Sequence, residues 1–183
     1  MNENDHPITT IKSRTAWKCP YYHIQQDIIQ LPDGTQGEYN IVNSPEAVFV
    51  VPVTNDGRLI LVKNYRYTLK QWVWEVPAGA IKTSQSADDT AHAELLEEIG
   101  GTTQHLQFLM RASTMNGIGN NYANFFIAHD VTLSEPKHEP AEVMTIHVLS
   151  IEEVYQMVYS GQMNDVSSMM ALLLARPHLK VYL

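Results

Sequence analysis

The segment that most constrains the fold is residues 92–101, HAELLEEIGG, because its charges are not balanced. At about 100° per residue on a helix, the apolar side chains of Ala91, Leu95 and Ile99 share one arc. The adjoining arc consists of three carboxylates: Glu94, Glu97 and Glu98. Like charges at this spacing repel by roughly 0.2–0.5 kcal/mol per pair, and no lysine or arginine lies between Lys82 and Arg111. The pattern predicts a helix with one face on a core and an acidic face beside it.

Both ends of this helix are marked by residues that begin and end helices. Ser86 is a suitable N-cap, acidic residues fill the first turn, where the helix dipole favours them, and Gly100–Gly101 ends the helix. Residues 72–80, WVWEVPAGA, read as a strand that breaks into a loop at Pro77 and Gly79. Carboxylates beside backbone carbonyls are ligands that Mg²⁺ or Mn²⁺ prefers, so a metal ion is one source of the missing charge. A solvated helix face is the alternative.

The rest of the pattern mixes strands and helices without a strict alternation. Extended stretches are predicted at residues 21–30, 37–42, 47–53, 58–67, 107–114, 122–131 and 143–150. Helical periodicity follows at residues 151–160 and 165–175. The turn at residues 31–34, LPDG, joins the first two stretches into a hairpin. We therefore predict an N-terminal β-hairpin arm over residues 1–44 and an α/β (mixed α+β) region over residues 45–183, with helices on the faces of a mixed sheet.

Length, charge and cysteine content restrict the class of protein. With 183 residues the chain is long enough for one well-buried domain, and a formal charge of −8 disfavours binding to nucleic acid or to anionic lipid. Cys19 is the single cysteine, which excludes an internal disulfide and is consistent with a reducing compartment. The sequence has no signal-peptide pattern, and no apolar run approaches the ~20 residues of a membrane helix. These features predict a cytoplasmic protein with no membrane or nucleic-acid partner.

The segment from Gly79 to Gly101 resembles the Nudix box, whose pattern is G, five residues, E, seven residues and then REUxEExGU, with U apolar. The matching positions are Gly79, Glu94, Leu95, Glu97, Glu98 and Gly100. Three positions depart, with Gln85 for Glu, Ala93 for Arg and Gly101 for the last apolar residue. In the family, the Glu at position 85 and the Arg at position 93 form an ion pair that braces the loop. Because this chain lacks both residues, no unpaired charge is left. The resemblance implies a Nudix fold, a mixed β-sheet sandwiched between helices.

A wider resemblance, from about Gln36 to the C-terminus, is closest to the ADP-ribose pyrophosphatase-like branch. Residues 64–81 are similar to this branch's sequence before the box, and residues 150–175 to its closing pair of helices. The resemblance implies a hydrolase that uses Mg²⁺, or Mn²⁺, to cleave ADP-ribose to AMP and ribose 5-phosphate. It also implies a homodimer formed through the N-terminal arm. A nucleotide sugar such as GDP-mannose is the alternative substrate, and a scaffold that binds a nucleotide without cleaving it is the alternative class.

The resemblance also assigns roles to individual residues. It places four residues at the metal ion: the carbonyl of Ala78 and the carboxylates of Glu94, Glu97 and Glu98. Arg66 matches the arginine that contacts substrate phosphate, and Glu75 matches the acid before the PAG turn. A surface charge and a structural acid at a strand end are the alternatives for these two residues. Trp74, on the same strand face as Trp72, would flank an adenine, with core or dimer packing as the alternative.

The general base is assigned less narrowly than the metal ligands. This branch often takes its base from an acidic loop before the last strand, here residues 134–143, SEPKHEPAEV. Pro140 stands about where the usual base lies, so the candidates are Glu139, Glu142 and a helix carboxylate such as Glu98. Glu142 as a further metal ligand, and a solvent-exposed loop, are the alternatives. The loop at residues 115–122, MNGIGNNY, also departs from the branch, which leaves the substrate open.

Overall fold

The computed structural model describes residues 6–137 and 143–182, which fall into two compact units. The first unit comprises the chain up to Pro45 together with Ser113–Tyr122, and the second comprises Glu46–Ala112 and the chain from Ala123 onward. Within the described residues no helix is both long and apolar enough to cross a membrane.

The first unit is built on a three-stranded antiparallel sheet. Its strands, in spatial order, are β1 (Thr9–Lys18), β2 (His23–Gln30) and β3 (Gln36–Asn43). The hairpin of β2 and β3 lies where the turn was predicted, and Gly34 in that turn adopts φ +86°, a left-handed conformation that glycine tolerates. The strand β1 is an addition to the predicted hairpin. All of its residues are exposed, so its side chains add nothing to the buried core.

The second unit is built on a mixed sheet, as predicted. Its strands are β4 (Ala47–Thr54), β5 (Leu59–Arg66), β6 (Gln71–Glu75), β7 (Ala78–Ala80), β8 (Gly101–Thr102), β9 (His105–Ser113), β10 (Tyr122–Leu133) and β11 (Met144–Leu149). The spatial order is β11-β5-β4-β10-β8, while β6 pairs with β5, β7 with β4 and β9 with β10. The strand β4 pairs in parallel with β10 and antiparallel with β5 and β7. The predicted stretch 72–80 is divided into β6 and β7 around Pro77, which cannot donate to a ladder.

Helices cover both faces of this sheet. They are α1 (Ala87–Ile99), α2 (Ile151–Ser160) and α3 (Val166–Ala175), followed by a 3₁₀-helix at Arg176–Tyr182. Alternate residues of β5 enter opposite cores: Leu61 packs with α2 and α3, and Ile60 packs with α1. The sheet is therefore sandwiched between helices, and the predicted fold class is confirmed.

The ends and the buried face of α1 agree with the sequence prediction. The Ser86 side chain accepts from the Asp89 amide, and the Asp89 side chain in turn accepts from the Ser86 amide, which forms a capping box. Gly100 ends the helix at φ +65°. The apolar arc is fully buried: Ala91, Leu95 and Ile99. The acidic arc adjoins this buried face, on a helix that packs against β7.

Candidate active site

Two glutamates of α1 lie against the backbone of β7. The Glu98 carboxylate is buried, and its Oε2 accepts from the Ala78 amide at 3.2 Å. The Glu94 carboxylate lies so close to Gly79 that a Cβ at that position would overlap it. The glycine of the box is therefore required by the approach of a carboxylate, since its backbone does not adopt a positive φ. Helix α1 and strand β7 together form the acidic centre of the site.

This centre suits a hard divalent cation in its chemistry. Among residues 6–137 and 143–182, no three acidic, histidine or cysteine side chains are close enough to hold a metal ion by themselves. Mg²⁺, however, is commonly bound through one or two carboxylates and completes its shell with water and substrate phosphates. Glu94 and Glu98 supply two such carboxylates, and Glu97 is half-buried on the same arc. The observed backbone partner of Glu98 is the Ala78 N–H, and the Ala78 carbonyl remains the predicted ligand.

Replacing Gly79 with alanine is expected to lower kcat about 10- to 100-fold, because a displacement of about 1 Å at a reacting centre has effects of this size. The new Cβ would push aside the flexible Glu94 side chain rather than backbone, so we expect the fold to survive. Steady-state kinetics at several metal concentrations, together with thermal unfolding, measure both effects. Gly37→Ala is the matched control, since the nearest atom to its Cβ would be 3.7 Å away. Wild-type kcat and metal requirement in Gly79→Ala would contradict the placement of Glu94.

Arg66 and Glu75, which the sequence assigned separate roles, form an ion pair. Arg66 Nε donates to Glu75 Oε1 at 2.8 Å, and a second guanidinium nitrogen donates to Oε2 at 2.6 Å. The Glu75 side chain is 8% exposed and that of Arg66 is 45% exposed. The hydrogen bond to Glu75 raises the pKa of Arg66 and outweighs desolvation, with smaller contributions from the charges of Glu98 and Asp165. The two residues are thus one bidentate unit, and they line a cavity with Ala78.

Trp74 lies apart from the acidic centre. Its ring contacts His147 edge-on at a centroid distance of 4.6 Å, and Lys63 Nζ lies 5.1 Å from the ring centre. It packs against the core of α2 and α3 and lines a cavity of about 600 Å³ with residues of α2. The Arg66–Glu75 pair lines a different cavity. The structure therefore does not bring Trp74 together with the other candidate residues.

The loop predicted to carry the general base is attached at both ends. Its first residues bond to the C-terminal end of α1, where the Ser134 amide donates to the Gly100 carbonyl at 2.8 Å and the Lys137 amide to the Glu97 carbonyl at 2.9 Å. At its last residue, the Val143 carbonyl accepts from the Tyr65 amide at 2.9 Å. The chain thus enters the loop beside α1 and leaves it next to Arg66. Three residues of the prediction lie outside the described residues: Glu139, Pro140 and Glu142.

Two departures from the box leave local interactions in place. Gln85 is half-buried, and its side-chain oxygen lies 3.5 Å from the Thr90 hydroxyl, which bonds more closely to the Ser86 carbonyl at 2.9 Å. Ala93 is also half-buried. No ion pair joins these two positions, and the capping box holds the start of α1 instead.

Sequence reasoning missed Asp165 and Ser168, which reach the same region from α3. Asp165 is the N-cap of α3, and Ser168 is fully buried with its Oγ accepting from the Val76 amide at 3.1 Å. Both residues line a cavity with Arg66, Glu75 and Ala78. The sequence does mark Asp165 as a helix N-cap. No local pattern, however, indicates that the helix it begins lies beside β6.

A mixed sheet between helices places a glycine-bearing strand beside an acidic helix, which is an arrangement suited to binding a divalent cation. The NUDIX domain model matches residues 43–169, and the chain belongs to this family of hydrolases. Its relatives include the ADP-ribose pyrophosphatase of Bacillus subtilis (strain 168), 30% identical over 146 residues that cover 79% of each chain.

Two further matches extend over more of the chain. The methanol dehydrogenase activator of Bacillus methanolicus is 26% identical over 164 residues, which cover 88% of this chain and 89% of the relative. A crystal structure of an ADP compounds hydrolase superposes with a TM-score of 0.84 and 22% identity, covering 95% of both chains. This structural match shows that the two proteins share a fold. Nudix hydrolases generally need a divalent metal, which suits the carboxylates of α1.

Proposed function

We propose that this Nudix hydrolase cleaves the pyrophosphate bond of ADP-ribose and releases AMP and ribose 5-phosphate. The observation that carries the proposal is the convergence of Glu94 and Glu98 on the backbone of Ala78 and Gly79. The relative in Bacillus subtilis is named an ADP-ribose pyrophosphatase, which supports this substrate. The acidic face of α1 would then be a cation site rather than a solvated surface.

In the proposed mechanism the protein holds a metal ion beside the substrate phosphates and removes a proton from the attacking water. Ala78, Glu94, Glu97 and Glu98 would hold Mg²⁺, which neutralises phosphate charge and makes water more acidic when it is bound. A carboxylate takes the proton as the water oxygen forms a bond to phosphorus, and the bridging P–O bond breaks. Glu139 and Glu142 are the proposed bases, with Glu98 as the third candidate.

Separate Glu139→Gln and Glu142→Gln variants would locate the general base, because loss of the base lowers kcat more than it raises KM.

Substrate binding is proposed to involve Arg66 and Glu75, acting as the bidentate pair described above. Trp74 remains a proposed contact to the adenine, although it lines a cavity separate from that of the pair. The division into an arm, residues 1–44, and a hydrolase domain, residues 45–183, also remains proposed. We propose that the arm mediates a homodimer and that the enzyme works in the cytoplasm.

The test is a panel of nucleoside diphosphate compounds assayed with Mg²⁺ and with Mn²⁺. We expect ADP-ribose to give the highest kcat/KM, with AMP and ribose 5-phosphate as products. Removing the metal with a chelator should abolish turnover, and adding Mg²⁺ back should restore it. A preference for GDP-mannose would replace the proposed substrate with a nucleotide sugar. Binding of ADP-ribose without cleavage of any compound would identify a nucleotide-binding scaffold.

A further inference from the structure

A cavity of about 240 Å³ lies beside the Arg66–Glu75 pair and includes a charged residue that the proposed mechanism does not use, Asp165. The remainder of its wall is made by Phe49, Val76, Ala78 and Ser168. Ala78 is also the residue whose amide donates to Glu98, so the cavity adjoins the acidic centre. The cavity is thus adjoining space for a group next to a pyrophosphate bound at that centre.

The charges around the cavity favour a neutral group over a phosphate. Both carboxylate oxygens of Glu75 already accept hydrogen bonds from Arg66. The Asp165 carboxylate lines the same cavity, so the wall carries two carboxylates and one guanidinium. A further anion would be repelled by the net negative charge of this wall. A neutral group with several hydrogen-bond donors suits this environment.

Asp165 is held in place and retains acceptor capacity. Its Oδ2 accepts from the Ser168 amide at 2.7 Å, as the N-cap of α3. The Ser168 hydroxyl in turn accepts from the Val76 amide at 3.1 Å, which fixes the start of α3 to the chain that follows β6. An ionised carboxylate has about four lone-pair positions, so further acceptor positions of Asp165 are open to a group in the cavity.

Sugar hydroxyls are neutral donors of the kind that this lining would bind, and carboxylates bind ribose hydroxyls in dinucleotide-binding folds. We propose that Asp165 is a specificity-determining residue that accepts hydrogen bonds from hydroxyls of the sugar on the distal phosphate of the substrate. The inference rests on the proposed function and narrows it to nucleoside diphosphates that carry such a sugar. In this proposal Arg66 holds Glu75 in place and forms part of the wall of the cavity that binds the sugar.

Asp165→Asn tests the inference with two substrates, ADP-ribose and the methyl ester of ADP, which has the same pyrophosphate and lacks the second sugar. Asparagine caps a helix about as well as aspartate but has one carboxylate oxygen fewer and no charge. We expect the ratio of kcat/KM for ADP-ribose to that for the ester to fall about 10-fold or more, chiefly through the KM of ADP-ribose.

Asp88→Asn is the matched control, because it makes the same substitution at an exposed position of α1 that does not line this cavity, and it should leave the ratio unchanged. If Asp165→Asn unfolds, Asp165→Ser, which also supplies a capping oxygen, takes its place. An equal change for both substrates, or no change, would overturn the role of Asp165 and leave the proposed hydrolysis standing. Failure of the wild-type protein to cleave either compound would instead remove the proposed function and the inference with it.

Discussion

Glu98→Gln is expected to lower kcat at least about 100-fold while the protein stays folded. Glu98 is buried, and its carboxylate is hydrogen-bonded to the Ala78 amide at 3.2 Å. Glutamine has nearly the same shape and keeps an oxygen that accepts from this amide, while the charge and one acceptor oxygen are lost. Because a metal site contributes several kcal/mol to charge stabilisation in the transition state, and 1.36 kcal/mol corresponds to tenfold in rate, a loss of this size follows.

The measurement is steady-state kinetics with ADP-ribose, accompanied by thermal unfolding. Asp88→Asn is the matched control, since it removes one negative charge from an exposed position on the same helix and should change kcat by less than about twofold. We expect the unfolding temperature of Glu98→Gln to stay near the wild-type value or to rise, because the acidic arc loses one repulsive charge. Turnover close to wild type would exclude Glu98 from the proposed metal-binding set.

Gly100→Ala is expected to lower the free energy of unfolding by about 2–5 kcal/mol. Gly100 has φ +65° at the end of α1, a conformation that costs an alanine roughly 1–2 kcal/mol. In addition, its Cβ would overlap the carbonyl oxygen of Ser134, and that oxygen belongs to backbone that cannot rotate away. The same segment bonds to the Gly100 carbonyl through the Ser134 amide, so the strain would reach the chain that leads to residues 138–142.

Gly161→Ala separates these two contributions. Gly161 ends α2 at φ +77°, and a Cβ built on it would have nothing within 4 Å, so only the conformational cost of roughly 1–2 kcal/mol applies. Denaturant unfolding of both variants gives the two free energies directly. Equal destabilisation of the two variants would contradict the close approach of Ser134 to the end of α1.

The parts of the site that could be predicted are those encoded within a few neighbouring residues. The bounds of α1 follow from Ser86 and Gly100, and its buried and acidic arcs follow from the helical period. The Arg66–Glu75 pair was not predicted as a pair, since it depends on the register of β5 with β6, in which Val62 faces Glu75 and Arg66 faces Gln71. Opposite charges at the ends of two strands joined by a short turn were the available signal.

The sequence by itself determined the family, the acidic helix and the strand with glycine before it, because caps, periodicity and box spacing are local properties of the chain. The tertiary structure decided which groups face one another. The contact of Ser168 with the Val76 amide spans 92 positions, and it brings Asp165 beside the Arg66–Glu75 pair. Contacts of this kind depend on strand register and on how α3 packs, which are set by burial of the whole core rather than by any short segment.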